Sequence, residues 1–173
     1  MRLVRLLALV LTLGLLSTSA LALPSKIFTL AELISRSDAL VRGRVEASEA
    51  AWNAAGDRIY TDWTVRVSEA VFGAARGQVL KVRQMGGRVG EVTQRVSGNA
   101  SVALGEEVVL FLKTDGSFHY IAAMAQGKWS VVGDAGAERL VRVPAADGAV
   151  PKGAPRWSQW LREIQRVRQE VAP

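Results

Sequence analysis

The chain contains no cysteine, a single histidine and only five prolines among its 173 residues. Without thiols there can be no disulfide, no thiolate metal site and no thiol nucleophile. One imidazole, His119 between Phe118 and Tyr120, leaves no second histidine for a metal and no adjacent nucleophile for a triad. The neighbouring acids Glu106 and Glu107 fall on opposite faces if they lie in a strand, so they make no acid and base couple. Asp57, Asp115, Asp134 and Asp147 each stand near a glycine, in turn settings that need no calcium. The chain therefore does not read as an enzyme, and neither a metal nor a cofactor is expected.

What is present begins with Arg2 and Arg5 ahead of an apolar run over residues 6–16, followed by small residues ending in Ala20-Leu21-Ala22. That order is the one read by the export machinery and its peptidase, so residues 1–22 are expected to be a cleavable signal peptide. The run is shorter than the roughly 20 residues that cross a bilayer, and no membrane span is expected in the mature chain. The product is expected outside the cytoplasm, in a periplasm or the medium. Cleavage leaves about 150 residues, enough for one domain with its own core. The formal charge of +6 falls by two with the leader's arginines, a mild excess concentrated near the C-terminus at Lys152, Arg156, Arg162, Arg166 and Arg168.

Thr29-Leu30-Ala31-Glu32 has the spacing of a capping box and predicts a short helix that stops near Ser37. Ala39, Val41, Gly43 and Val45 then alternate with Arg42, Arg44 and Glu46, as in a half-buried strand. After turn residues 53–58, Ile59, Thr61, Trp63, Val65 and Val67 alternate in the same way, and the two strands are expected to pair as a hairpin. Residues 79–85 read as a third strand with Leu80 and Val82 inward. Residues 86–105 carry Gly86, Gly87, Gly90, Gly98 and Gly105 and read as an irregular connection with at most a short edge strand. Residues 108–112 are apolar throughout, which suits a central strand covered on both faces. Further strands are expected at 118–123, 128–132 and 139–143. Residues 145–156 have linker composition. Trp157, Leu161, Ile164, Val167 and Val171 then form one stripe of a C-terminal amphipathic helix over 157–171, expected to pack on the sheet.

The expected class is thus mainly β: a small barrel over residues 23–144 with one short N-terminal and one C-terminal helix. Residues 39–45, the run Val65-Arg66-Val67-Ser68-Glu69-Ala70-Val71-Phe72-Gly73 and the run Gly105-Glu106-Glu107-Val108-Val109-Leu110-Phe111-Leu112 resemble the netrin-like modules. That family includes the tissue inhibitors of metalloproteinases, and the resemblance, over about residues 38–133, implies an OB-type barrel. Those inhibitors act through an N-terminal cysteine on the catalytic metal. This chain has none, so their mechanism does not carry over and none of their functional residues maps here.

Binding residues are sought among exposed aromatics and glycine loops. Trp52, at the hairpin mouth, is a candidate contact residue, as exposed tryptophan is enriched at interaction hot spots. Gly86-Gly87-Arg88-Val89-Gly90 either brings amides and a cation to a ligand or is an ordinary turn between strands. Residues 122–129, small and glycine-containing, read as a close backbone passage at a barrel corner. Trp157 and Trp160 either pack under the C-terminal helix or join a contact surface. The function expected is a non-enzymatic module engaging another exported protein through loops near Trp52 and residues 86–104. The alternative is an anionic polymer, whether nucleic acid, polysaccharide or lipid headgroups, held by Arg42, Arg44, Arg66 and Arg83 with Tyr60 as a stacking ring.

Overall fold

Thr29 caps the first helix, α1 (Leu30–Ser35), in the reciprocal manner its spacing predicts. Its Oγ1 accepts from the Glu32 amide at 3.2 Å, and the Glu32 carboxylate accepts from the Thr29 amide at 2.9 Å. The structure is a computed structural model and describes residues 26–142 and 149–171. The expected signal peptide over 1–22, Val143 of the last expected strand, Asp147 and part of the 145–156 connection lie outside the described residues.

A hydrogen bond from Lys26, then one from the Thr29 amide, brings the Glu32 carboxyl down from an ordinary 4.5 to about 2. A carboxyl whose pKa falls on folding stabilises the folded state above its unfolded value and ceases to do so as pH drops through its folded one. The α1 amides are therefore expected to lose hydrogen-exchange protection between about pH 4.5 and 2. Thr29→Ala is expected to cost about 1 kcal/mol in urea denaturation; protection unchanged at pH 2 would contradict the capping role.

Among the described residues the strands are β1 (Ala39–Trp52), β2 (Ile59–Phe72), β3 (Val79–Met85), β4 (Gly87–Val89), β5 (Val92–Gln94), β6 (Glu107–Asp115), β7 (Phe118–Ile121), β8 (Lys128–Val132) and β9 (Arg139–Val141). A 3-10 turn, Met124–Gly127, precedes β8, and helix α2 (Trp157–Val171) ends the fold. Seven strands form one sheet in the order β1-β2-β3-β7-β6-β8-β9, and β1 also pairs antiparallel with β6, Ala39 opposite Leu112 and Arg44 opposite Glu107. The β3 and β7 strands meet in parallel at one bridge, Val82 to His119. The long β1–β2 hairpin takes up its twist at three register shifts. At one of them Gly43 lies so close to β2 that a Cβ would stand 2.5 Å from the Arg66 carbonyl oxygen.

Residues 86–105 depart from the sequence expectation. They contain two short strands, β4 and β5, paired only with each other as a separate ribbon. The ribbon packs on the hairpin: the Gln94 side chain accepts from the Ile59 amide at 2.7 Å, and Thr61 donates to the Gly86 carbonyl at 2.8 Å. Strand β7 also ends earlier than expected, at Ile121, because Ala123 and Met124 turn into the left-handed region with φ of 54° and 56°.

The core has two parts, one on each face of the sheet. In β6, Val109 and Phe111 join Leu40, Leu140, Trp157 and Ile164 beneath the helices, while Val108, Leu110 and Leu112 join Val41, Val65, Leu80 and Val82 on the other side. An unbroken apolar run is what a strand buried on both faces requires. Helix α2 buries Trp157, Ile164 and Val167, and its end, Val171, is 39% exposed. Trp160 packs edge-on against Phe111 and tilts against Trp129. The entry to α2 is fixed to β9, since the Trp157 amide donates to the Glu138 carbonyl and the Leu140 amide to Pro155.

Candidate functional site

Tyr60 lies on the β2 face that also carries Asp62, and the register sets Asp62 opposite Arg83 of β3. Arg83 grips Asp62 with both arms, Nε to Oδ1 at 2.7 Å and Nη2 to Oδ2 at 2.6 Å. Its guanidinium lies 3.4 Å from the Phe118 ring centre and 5.5 Å from that of Tyr60. The hydrogen bonds that Arg83 donates to Asp62 hold its pKa above the usual value, against the opposing effect of burial. The cation is thus fixed, compensated and covered by rings.

Around this pair a groove of 580 Å³ opens at the mouth of the β1–β2 hairpin, lined by Trp52, Tyr60, Arg83, Met85 and Tyr120 among others. Trp52 is 41% exposed. The turn beneath it is held rigidly, because the Asn53 side chain accepts from the amides of Asp57 and Arg58 and donates to the Asp57 carboxylate. Two sequence candidates, Trp52 and Tyr60, therefore meet in one groove. Met85 and Tyr120 were not singled out by the sequence, although the placement of Phe118 and Tyr120 two residues apart on one strand face is a signal of period two.

The glycine motif lies elsewhere. Gly86 and Gly87 line a separate cavity of 550 Å³ with Trp63, Gln84, Asn99 and Ser101. The Gly86 amide is already committed to the Ile59 carbonyl at 2.7 Å. Gly87 permits the ribbon to sit on β2, where a Cβ would lie 2.3 Å from Thr61 Oγ1. Arg88 and Gly90 stand at the ribbon's turn, where Arg88 Nε donates to the Gly90 carbonyl at 2.9 Å. The motif opens onto strand β5 rather than a helix, so it lacks the helix N-terminus that usually gathers a phosphate.

The arginines named as a basic face are separated and mostly neutralised. Arg42 bonds Glu107 at 2.7 Å and Glu138 at 3.2 Å; burial alone would lower its pKa, but these two carboxylates outweigh burial and raise it. Arg66 pairs with Glu46 at 2.6 Å. Among the described residues, only Arg44 of the four lacks an ion pair.

Sequence reasoning missed a buried polar group as well. Lys128 is 2% exposed and Ser130 fully buried, and both bond Glu106: Lys128 Nζ lies 2.5 Å from Glu106 Oε1 and 2.7 Å from Ser130 Oγ, which itself donates to the same carboxylate oxygen. Ser130 is closed to substrate and its neighbouring amine is held by a carboxylate, so the trio is a structural brace rather than a nucleophile and base. Among the described residues, no cluster of three or more acidic or histidine side chains could hold a metal, and no helix is long and apolar enough to cross a membrane. No protein-family model, curated protein or solved structure matches the chain.

Proposed function

We propose that the chain is an exported, non-enzymatic binding module with an OB-type barrel of the netrin-like kind, engaging another exported protein through the groove between Trp52, Tyr60 and Tyr120. The observation that carries this is the pairing of Arg83 with Asp62 inside a ring of aromatic side chains. A groove of tryptophan, tyrosine and methionine around a compensated arginine suits the apolar and aromatic side chains of a protein partner. It does not suit a polyanion, which needs several uncompensated cations in a row. What supports the barrel is the pairing of β6 back onto β1, by which the strand order β1-β2-β3-β7-β6 returns to its start.

The test is capture from the exported fraction on the immobilised mature protein, repeated with Trp52→Ala and Tyr60→Ala. Each substitution is expected to weaken capture of a stoichiometric protein by about tenfold or more while the melting temperature stays within about 2 °C. Raising salt from about 50 to 200 mM is expected to change that capture little, whereas a polymer held through six or more phosphates would fall about a thousandfold or more. Capture insensitive to both substitutions rejects the groove. Release of an anionic polymer by salt transfers the function to the basic residues.

A further inference from the structure

Ala125, Gln126 and Lys128 help to line a third cavity, which shares Asn99, Ala100 and Ser101 with the one beside Gly86 and no lining residue with the groove at the hairpin mouth. It has a volume of 360 Å³, within the size range of small-ligand sites, and its lining includes Ile27, Ala100, Ala125, Asn99, Ser101 and Gln126. The buried Lys128 and the exposed Arg142 complete the lining. The Lys128 charge is met by Glu106. Among the described residues, Arg142 has no such partner.

The Arg142 guanidinium is nonetheless held in place. Its Nη1 donates to the Gln126 carbonyl and lies 3.4 Å from the carbonyls of Ala125 and Lys128, and its central carbon stacks 3.6 Å from the Trp129 ring centre. A guanidinium offers five N–H donors. Those on Nε and Nη2 have no acceptor, and no carboxylate pairs with the group, among the described residues. Arg142 is exposed as a residue, and the part of its guanidinium that is buried has its pKa pushed down to about 10 by that burial.

The cavity lip is built with equal care. The Gln126 amide accepts from the Phe28 amide and donates to the Lys26 carbonyl, both at 2.8 Å, which fixes the intervening Ile27 at the rim with 85% of its surface in water. Ala123 and Met124, just ahead of the lining residues Ala125 and Gln126, are held at positive φ. An oriented fork of N–H donors beside apolar walls matches a planar monoanion attached to an apolar body.

The geometry points to a binding site in this cavity for a carboxylate borne on an apolar chain or side chain, with Arg142 as its receptor and Ile27, Ala100 and Ala125 as its apolar walls. Such a ligand is either a medium-chain fatty acid or the free C-terminus of a peptide ending in an apolar residue. Calorimetric titration of the full mature chain with monomeric decanoate and with a short peptide ending in leucine separates the two, using decanol and the C-terminally amidated peptide as neutral counterparts.

At least one acid is expected to bind saturably and at least tenfold more tightly than its neutral counterpart, and the arm that does so names the source. Arg142→Gln is expected to remove that preference, and Arg142→Lys to restore only part of it, because an ammonium lacks the fork. Ala125→Trp, at an exposed position, is expected to block the cavity without changing the circular dichroism spectrum. Trp52→Ala is expected to leave this binding intact, so its failure and that of the aromatic groove are told apart. Neither acid outbinding its neutral counterpart, or Arg142→Gln and Ala125→Trp binding as the parent does, would overturn the assignment.

Discussion

Replacing Glu106 by Gln is expected to destabilise the protein by about 3–5 kcal/mol, because it strips the counter-charge from an ammonium that has almost no water. In the β6–β8 register Leu110 faces Lys128 and Val108 faces Ser130, so both polar side chains leave β8 on the side of the Val41, Leu80 and Leu112 cluster. Glu106 reaches them while its other oxygen accepts from the Ala103 amide at 2.9 Å. The amide of Gln can keep part of this hydrogen bonding but none of the charge. Set against a typical total of about 5–15 kcal/mol, the loss is large, and a melting temperature lower by about 10 °C is expected. Lys128→Met leaves the Glu106 carboxylate without its counter-charge, but at a less buried position (12% against 2% exposed) and with two hydrogen-bond donors, and is expected to cost less than Glu106→Gln. Urea denaturation of both variants checks this. Equal losses from the two would mean that the carboxylate depends on its counter-charge as much as the ammonium does.

Phe111→Ala is expected to cost about 3–5 kcal/mol, the range for emptying a large aromatic from a closed core. Phe111 is fully buried at the centre of β6, and the edge-on contact with Trp160 ties the sheet to α2 at a centroid distance of 5.8 Å. The cavity would open beneath a helix anchored at its start by the Trp157 indole, which donates to Glu69 at 2.9 Å, so closing it by tilting the helix would break that bond. Val171→Ala, at the exposed end of the same stripe, is expected to change stability by less than about 0.5 kcal/mol. A loss near 1 kcal/mol for Phe111→Ala would show that α2 slides to refill the space.

The legible parts of the fold were those where one local pattern and the tertiary environment agree. Alternation marked β1 and β2, the unbroken run at 108–112 marked a strand covered on both faces, and the Thr29-to-Glu32 spacing marked a cap that forms as written. The β4 and β5 strands were hidden because three residues are too few to show a period, and because the side chains that dock them on β2 are Gln94 and Thr61 rather than apolar residues. Arg42, Arg66 and Arg83 resembled free positive charge because their acids lie 65, 20 and 21 residues away in sequence. Lys128 was taken as an ordinary strand residue for the same reason, its acid being 22 residues distant. Of the candidate site, Trp52 and Tyr60 were visible as isolated aromatics, but their meeting with Tyr120 depends on β7 lying beside β3, which no local spacing encodes.

The order in which strands find one another follows from the place of β1 between two partners of very different reach. Its pairing with β2 closes across the short turn at residues 53–58, an event of about 1–10 microseconds for a hairpin. Its pairing with β6 joins groups such as Arg42 and Glu107, 65 residues apart, and contacts of that separation place β-rich domains in the millisecond-to-second range. During that interval β6 is a strand of Val, Leu and Phe with two apolar faces and two unmatched edges, the kind of segment through which chains associate. Refolding yield is therefore set by a race between intramolecular docking of β6 and encounters between chains, and it falls as protein concentration rises even where the finished fold is stable.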